Sequence, residues 1–534
     1  MVPFSNDGHC DPWHYFGYFY LDDQFAAIGD SRTYSRLPST IVGFGLTKLF
    51  HSVVADYLQY LVLLVAIAGS VFLLAQRLFG NFAAGIAALF LATSGIVIGV
   101  LSVTYTGPSL AWSTIAMSCA LAAGTALNDR RRNLLVIAAG FFMATAIIGH
   151  LYTLTYNFVV PLYALSWSSE ERRRPYTQLP RILGRLLIGV ILAIVVLGFI
   201  SKFVLHAEFT FFRHQFLEVF DVRVSEYRRP GWYLHGGKLA FVIFSVCLAA
   251  TGIALRRRFP DPSKVLAVNV PLAVLLLAQL AYAALGGITL QYDYYYVWLL
   301  PPLALSLASV MAVLAAKDVR ALPCIALFAV LSLASTLFGY STIVDVTSAW
   351  PSTVVVIVTA GAVAVLARHR VRSTLSVALI GLGILGATIR PERMGVQVWS
   401  NTGDGSASYQ RLRAGWDFLA HFHFQQTPLF WLAARGDLSD VIAFPRGFEY
   451  CHVDTALPDF VPAGDDNYDP RAEAFAAGRL VVAVVPDDRS FAEALATLRQ
   501  RYGLQLEELA RRRISGSGVA YTMIIGNLRP ATPG

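Results

Sequence analysis

RRRNLLVIAAGFFMATAIIGHLYTLTYNFVVPLYALSWSSEERRR, residues 130–174, is the stretch on which the fold turns. Two arginine triplets bracket an apolar run interrupted only near His150. One crossing of a bilayer takes roughly 20 residues. Arginines collect on the cytoplasmic side of membrane spans. Both triplets therefore sit on the same face, and an even number of spans lies between them. The run reads as two short spans, 134–149 and 152–167, with His150 at the outer turn.

Working outward from this pair, further apolar runs fall at 52–75, 82–102, 109–127, 182–204, 238–255, 266–285, 294–316, 322–343, 352–367 and 374–389. The charges then alternate without conflict. Arg77, Arg256 to Arg258, Lys264, Lys317, Arg320, Arg368, Arg370 and Arg372 fall on the inner face. Loops 103–108, 286–293 and 344–351 contain no Lys or Arg and fall on the outer face. Twelve spans put residues 1–51, loop 205–237 and the tail 390–534 outside together. An outer N-terminal segment needs an inside-to-outside helix ahead of it, so a thirteenth helix missing from this sequence is expected.

Composition agrees. The 534 residues are 56% hydrophobic and only 14% charged, against roughly 25% charged in soluble domains. The mean hydropathy is +0.56. The formal charge of +8 is spread over short clusters between spans, which excludes a nucleic-acid surface. Residues 1–20 carry neither the basic nor the apolar region of a signal peptide. Of the five cysteines, Cys119, Cys247 and Cys324 lie in apolar runs, and no zinc spacing occurs. Cys10 and Cys451 fall on the outer, oxidising face, where a disulfide between them is one possibility.

Three regions follow: an outer loop region with interfacial helices (1–51), a helical membrane region (52–389) and a small soluble α/β tail (390–534). Apolar β-prone runs in the tail are 429–433, 441–444, 480–485 and 519–525; helical patterns are 407–421 and 490–502.

The first region is where chemistry concentrates. DGHCDPWHYFGYFYLDDQFAAIGDSRTYSRLP, residues 7–38, holds Asp7, Asp11, Asp22, Asp23, Asp30, His9, His14, Arg32 and Arg36 among many aromatic rings. Asp11-Pro-Trp-His-Tyr15, with YSRLP at 34–38, resembles the first outer loop of GT-C glycosyltransferases. The nearest pattern is that of protein O-mannosyltransferases and the lipid A aminoarabinose transferase. The run YYYVWLLPPLALSLA from Tyr294 resembles a helix start of the same family, and the layout of spans and outer tail matches too.

The resemblance implies transfer of a sugar from a polyprenyl-phosphate donor, with inversion, to an envelope glycan, lipid or protein. It makes Asp11 the general base, and Arg36 with His14 the holders of the donor phosphate. Tyr15 matches the motif tyrosine. Three departures stand out: Pro12 replaces the usual Glu, His14 stands at the usual basic position, and Thr104–Pro108 lacks the acid that relatives often carry there. A second carboxylate falls to Asp7, and a divalent metal is left open.

Loop 205–237 offers Arg213, His214, Arg228 and Arg229 to an anionic donor, and Asp293 stands at the outer end of a span. Plainer readings stand beside these. Asp11 before Pro12 is also a good helix cap. Arg36 is also an interfacial anchor, the rings an aromatic belt, loop 205–237 an amphipathic surface helix, and His150 a satisfied buried ring. The expectation is a multi-pass enzyme of a bacterial inner membrane, its loop and tail extracytoplasmic. The rivals are a lipid-linked sugar flippase and a non-catalytic subunit presenting the tail.

Overall fold

A backbone in hydrocarbon has no water to bond, so runs of Ala, Leu, Val and Ile without charge close their hydrogen bonds locally as helices. The computed structural model describes residues 36–50, 52–92, 106–165, 175–204, 208–213, 238–291 and 293–315, with isolated positions at 94, 97, 100–101 and 216. In the tail it describes 429–432, 480–486, 503–516 and 519–531, and parts of 414–422 and 496–500. The expected spans 322–343, 352–367 and 374–389 lie outside the described residues.

The helices are α1 (Leu37–Leu49), α2 (Ser52–Phe79), α3 (Asn81–Ala92), α4 (Thr106–Gly124) and α5 (Asp129–Gly149), then α6 (Leu154–Asn157), α7 (Val160–Ala164), α8 (Pro175–Phe199), α9 (Lys238–Leu255), α10 (Pro262–Ala284) and α11 (Leu300–Ala315). Among the described residues, five helical segments are long and apolar enough to cross a membrane: Leu58–Phe79, Asp129–Gly149, Thr177–Val204, Pro262–Ala284 and Tyr295–Val313.

Local chemistry sets the ends. Asn128 accepts from the backbone N–H of Arg130 (2.8 Å) and Arg131 (3.4 Å), capping α5. Asp261 does the same for Ser263 N–H (3.1 Å) at α10, with Pro262 in the first turn. Gly80, at φ +90°, stops α2 and lets α3 begin at once.

After α5 the chain turns at His150 and runs back along the bundle. The turn after α5 lies against the start of α1 and α4: Gly149 O accepts from Ser39 Oγ (3.2 Å). The far end of the next segment meets the other end of α4, for a Cβ on Gly124 would stand 2.7 Å from Leu165 O. The returning segment therefore reaches the far end of α4 by Leu165. It is a broken helix: a 3-10 turn at Leu151–Thr153, then α6, a turn at 158–159, then α7. The 3-10 turn rises about 2.0 Å per residue against about 1.5 Å in an α-helix, which helps a short segment span.

Basic turns gather at one end. Arg132 donates to Gln178 Oε1 (2.7 Å), joining the turn before α5 to α8. Phe79, two residues past Arg77, packs edge-on against Phe259, beside Arg256–Arg258, at 5.7 Å. The starts of α1 and α4 and the end of α5 lie at the opposite end.

The apolar core runs through α2, α3, α4, α10 and α11. Peripheral α8 packs on α5 through glycines, and its outer face (Leu183, Leu187, Ile188, Ile191) is exposed apolar surface. A buried network ties α10 to α11. Asn269 Nδ2 donates to Val265 O (2.8 Å) and Ser309 Oγ (2.9 Å), and Ser306 Oγ donates to Asn269 Oδ1 (2.5 Å).

Among the described residues the tail forms a four-stranded sheet of order β1-β2-β4-β3, with β1 Leu429–Leu432, β2 Val481–Pro486, β3 Leu504–Gly516 and β4 Val519–Pro530. The β1–β2 pair is parallel; the others are antiparallel. Three of these strands match expected runs. Run 441–444 lies outside the described residues. Strand β3 is a strand that the sequence reading does not contain.

Candidate active site

The His150 end is assembled from four separate parts of the chain. The first is the end of the acidic N-terminal stretch. Arg36, half-buried, is the residue before α1, and Pro38 occupies the first turn. Trp112 Nε1 donates to Pro38 O (3.0 Å), Ser39 Oγ and Ser109 Oγ stand 3.3 Å apart, and Ser39 reaches Gly149 O. Leu37, Ser39 and Thr40 are all buried. Residues 37–40 are thus fixed to α4 and α5.

Gly149 lets the two serine hydroxyls come close. A Cβ on it would lie 2.7 Å from Ser109 Oγ and 2.8 Å from Ser39 Oγ.

The second part is His150, 4% exposed. Its ring stands edge-on to Trp298 (5.0 Å), Tyr295 (5.9 Å) and Tyr152 (5.8 Å). Edge-to-face geometry at such distances is the favoured arrangement for aromatic groups. His150 is thus a buried ring packed among aromatic groups.

The third part is the 3-10 helix Asp293–Leu299 that leads into α11. It brings Tyr295 and Trp298 onto His150, with their own centroids 5.6 Å apart. The loop before it is fixed by buried bonds. Tyr296 Oη donates to Leu290 O (2.9 Å), Gln291 Nε2 to Gly287 O (2.9 Å) and Thr289 Oγ1 to Gln279 Oε1 (2.7 Å). Gln279 Nε2 also donates to Thr155 O (2.5 Å), where the broken crossing leaves a carbonyl for it.

The fourth part is the near arm of the second long loop. Phe211 is buried with Leu37, Ile148 and Leu197, against Ile41 and Phe44. Arg213 follows it, exposed. Arg36 and Arg213 thus flank the same apolar joint.

Of the residues singled out from sequence, Asp7, Asp11, His14, Tyr15, His214, Arg228 and Arg229 lie outside the described residues, as do Cys10 and Cys451. Asp293 is described by its backbone, at the start of the 3-10 helix. Among the described residues no group of His, Cys, Asp and Glu is placed to hold a metal. Ser39, Ser109, Trp112 and Gly149 were not legible as site residues. Their roles come from contacts across 70 to 110 positions. Trp298 and Tyr295 lay in the quoted aromatic run from Tyr294, which was the available signal.

Fold and composition together define a polytopic helical membrane protein. Three solved structures are similar to it along most of its length. ArnT from Cupriavidus metallidurans in the apo state is 15% identical, covering 96% of this chain and 93% of that one, with a TM-score of 0.49. The same protein bound to undecaprenyl phosphate is 15% identical, covering 98% and 95%, with a TM-score of 0.47. The apo oligosaccharyltransferase of Archaeoglobus fulgidus is 14% identical, covering 93% of this chain and 65% of that one, with a TM-score of 0.40. No family model and no curated protein matches the chain.

Proposed function

We propose that this chain is an integral-membrane glycosyltransferase of the GT-C kind. It moves a sugar from a polyprenyl-phosphate donor to an acceptor outside the cytoplasm. Asp11 takes the acceptor's proton. Arg36, with His14 and Arg213, offsets the charge that develops on the departing lipid phosphate. His214, Arg228 and Arg229 extend that basic surface, and Asp7, Tyr15 and Asp293 border the sugar and acceptor. The membrane is a bacterial inner membrane, and the reaction loop and tail face away from the cytosol.

One observation carries this reading. The described end of the YSRLP stretch, residues 36–38, and the aromatic run from Tyr294 come to the same end of the bundle, joined through Gly149 and His150. Ser39 bonds Gly149, and the next residue, His150, packs on Tyr295 and Trp298. That end lies opposite the arginine turns. The flippase rival gains nothing from the described spans. Among the described residues, no Asp, Glu, Lys or Arg is buried, whereas transporters set ionisable groups at mid-membrane.

The test is release of polyprenyl phosphate from a polyprenyl-phosphate sugar by the purified protein. Wild type turns over, and Asp11→Asn loses about 10²-fold or more, the usual share of a general base. Near wild-type turnover by Asp11→Asn ends the assignment of the base. No turnover by wild type with any polyprenyl-phosphate sugar leaves the non-catalytic subunit as the better reading.

A further inference from the structure

Helix α8 carries positive charge into the apolar layer. Arg181 and Arg185 lie inside the segment Thr177–Val204, which is long and apolar enough to cross a membrane. At about 1.5 Å per residue, Arg185 stands roughly 12 Å along it. Arg181 is exposed and Arg185 half-buried. Among the described residues neither has a hydrogen-bond or ion-pair partner. Helix α8 itself contains no Asp or Glu. A charged side chain within a span is costly and calls for a partner.

Helical spacing places these groups. Ile182, Leu186, Gly189 and Ala193 are buried, and Gly189 lies against the backbone of α5 at Ile137. Arg181, Arg185, Ile188 and Leu192 follow at i, i+4, i+7 and i+11, so they form the stripe beside that seam. Ile188 is 53% exposed and Leu192 46%. The stripe therefore runs in one line from two guanidinium groups to bare hydrocarbon. Helical side chains lean towards the helix N-terminus, so both arginines reach back to the basic end of the bundle. There Arg132 of α5 is held to Gln178 of α8 at 2.7 Å, which closes one side of the stripe. The other side is open: a Cβ on Gly184 would meet nothing within 4 Å.

We propose that this stripe binds one phospholipid with an anionic headgroup. Its phosphate sits on Arg181 and Arg185, and an acyl chain lies along Ile188 and Leu192. Charge complementarity selects this occupant. An apolar helix packed here would leave both guanidinium groups unpaired, and a soluble anion would leave the apolar half bare. Basic pockets between membrane helices hold anionic headgroups in this way. The stripe lies at the end of the bundle opposite His150, so the inference does not rest on the transferase reading.

The experiment titrates the full chain, purified in neutral detergent, with phosphatidylglycerol or phosphatidylcholine and reads the bound lipid by native mass spectrometry. Wild type is expected to hold one phosphatidylglycerol several-fold more tightly than phosphatidylcholine. Arg181→Gln with Arg185→Gln should weaken that binding roughly 30-fold. Arg257→Gln with Arg258→Gln removes the same charge from exposed positions at the same end and should leave it near wild type. Equal weakening in the two double variants would mean a general attraction of the basic end and overturns the site. Equal binding of the two lipids by wild type overturns it as well. Arg181→Lys with Arg185→Lys keeps the charge and should keep most of the binding; a loss as deep as that of the Gln pair contradicts the assignment. Inorganic phosphate at the lipid's concentration should not displace it, and displacement would refute a lipid as the occupant.

Discussion

The joint between α5 and α8 allows a sharp calculation with a control built into the same helix. A Cβ on Gly189 would stand 2.1 Å from Ile137 O and 2.7 Å from Phe141 N. Both atoms are backbone, so no rotamer change makes room. Gly140, on the facing helix, is as tightly placed, 2.2 Å from Leu186 O. Small residues of this kind let helix backbones approach in lipid, where close packing supplies the attraction. Gly189→Ala must push α8 away from α5 along its length.

Overpacking costs typically 1–3 kcal/mol, and here the upper end applies. Alanine returns about 1 kcal/mol of helix propensity. The net expectation is a loss of about 2 kcal/mol. Gly184 lies on the same helix, and a Cβ there meets nothing within 4 Å. Gly184→Ala should therefore keep or gain up to about 1 kcal/mol. Thermal unfolding in detergent, followed by loss of monodisperse elution, compares the two. Equal melting of Gly189→Ala and Gly184→Ala would refute the packing argument.

Other consequences follow from named contacts. Ser39→Cys with Ser109→Cys should form a disulfide on oxidation, since the two hydroxyl oxygens, which the sulfurs would replace, already face each other at 3.3 Å. Ser39→Cys with Ser113→Cys, one helical turn further along, should not; a gel shift after cleavage between the pair distinguishes them. Asn269→Leu removes the bonds to Ser306 and Ser309 and presses on α9, where Gly252 leaves room only for the flat amide. A loss of about 1 kcal/mol is expected from the bonds alone, read as a lower Tm; a Tm at or above wild type would contradict it.

Hydropathy and charge carried most of the helical layout. The apolar run expected at 238–255 is helix α9, Lys238–Leu255, because a polar loop and three arginines bound it sharply. The run out and back over 130–165 was legible from charge alone. Its breaks were not, since the apolar run continues across them. In the same way α3 stops at Ala92 inside a run read as one span to residue 102. Strand β3 was hidden for a different reason. Its sequence, LQLEELARRRISG, is rich in helix formers and charge, which suits an exposed edge strand. Pairing with β4 overrides that local preference.

At the candidate site, Arg36 and the aromatic run from Tyr294 could be singled out from sequence. That Ser39 and Ser109 lock the start of α1 against Gly149 could not be. Serines and glycines of this kind are common in membrane helices, and only the packing tells which ones meet.

The central claim is one of sides: the acidic opening stretch lies opposite the arginine turns and faces away from the cytosol. A membrane-impermeant maleimide applied to intact spheroplasts tests it. The background is a Cys451→Ser variant, with and without Leu127→Cys, a fully exposed position three residues before Arg130. The account predicts that Cys10 reacts in intact spheroplasts and that Leu127→Cys adds a reactive site only after permeabilisation. Reaction at Leu127→Cys from outside, with Cys10 reached only after permeabilisation, would contradict it.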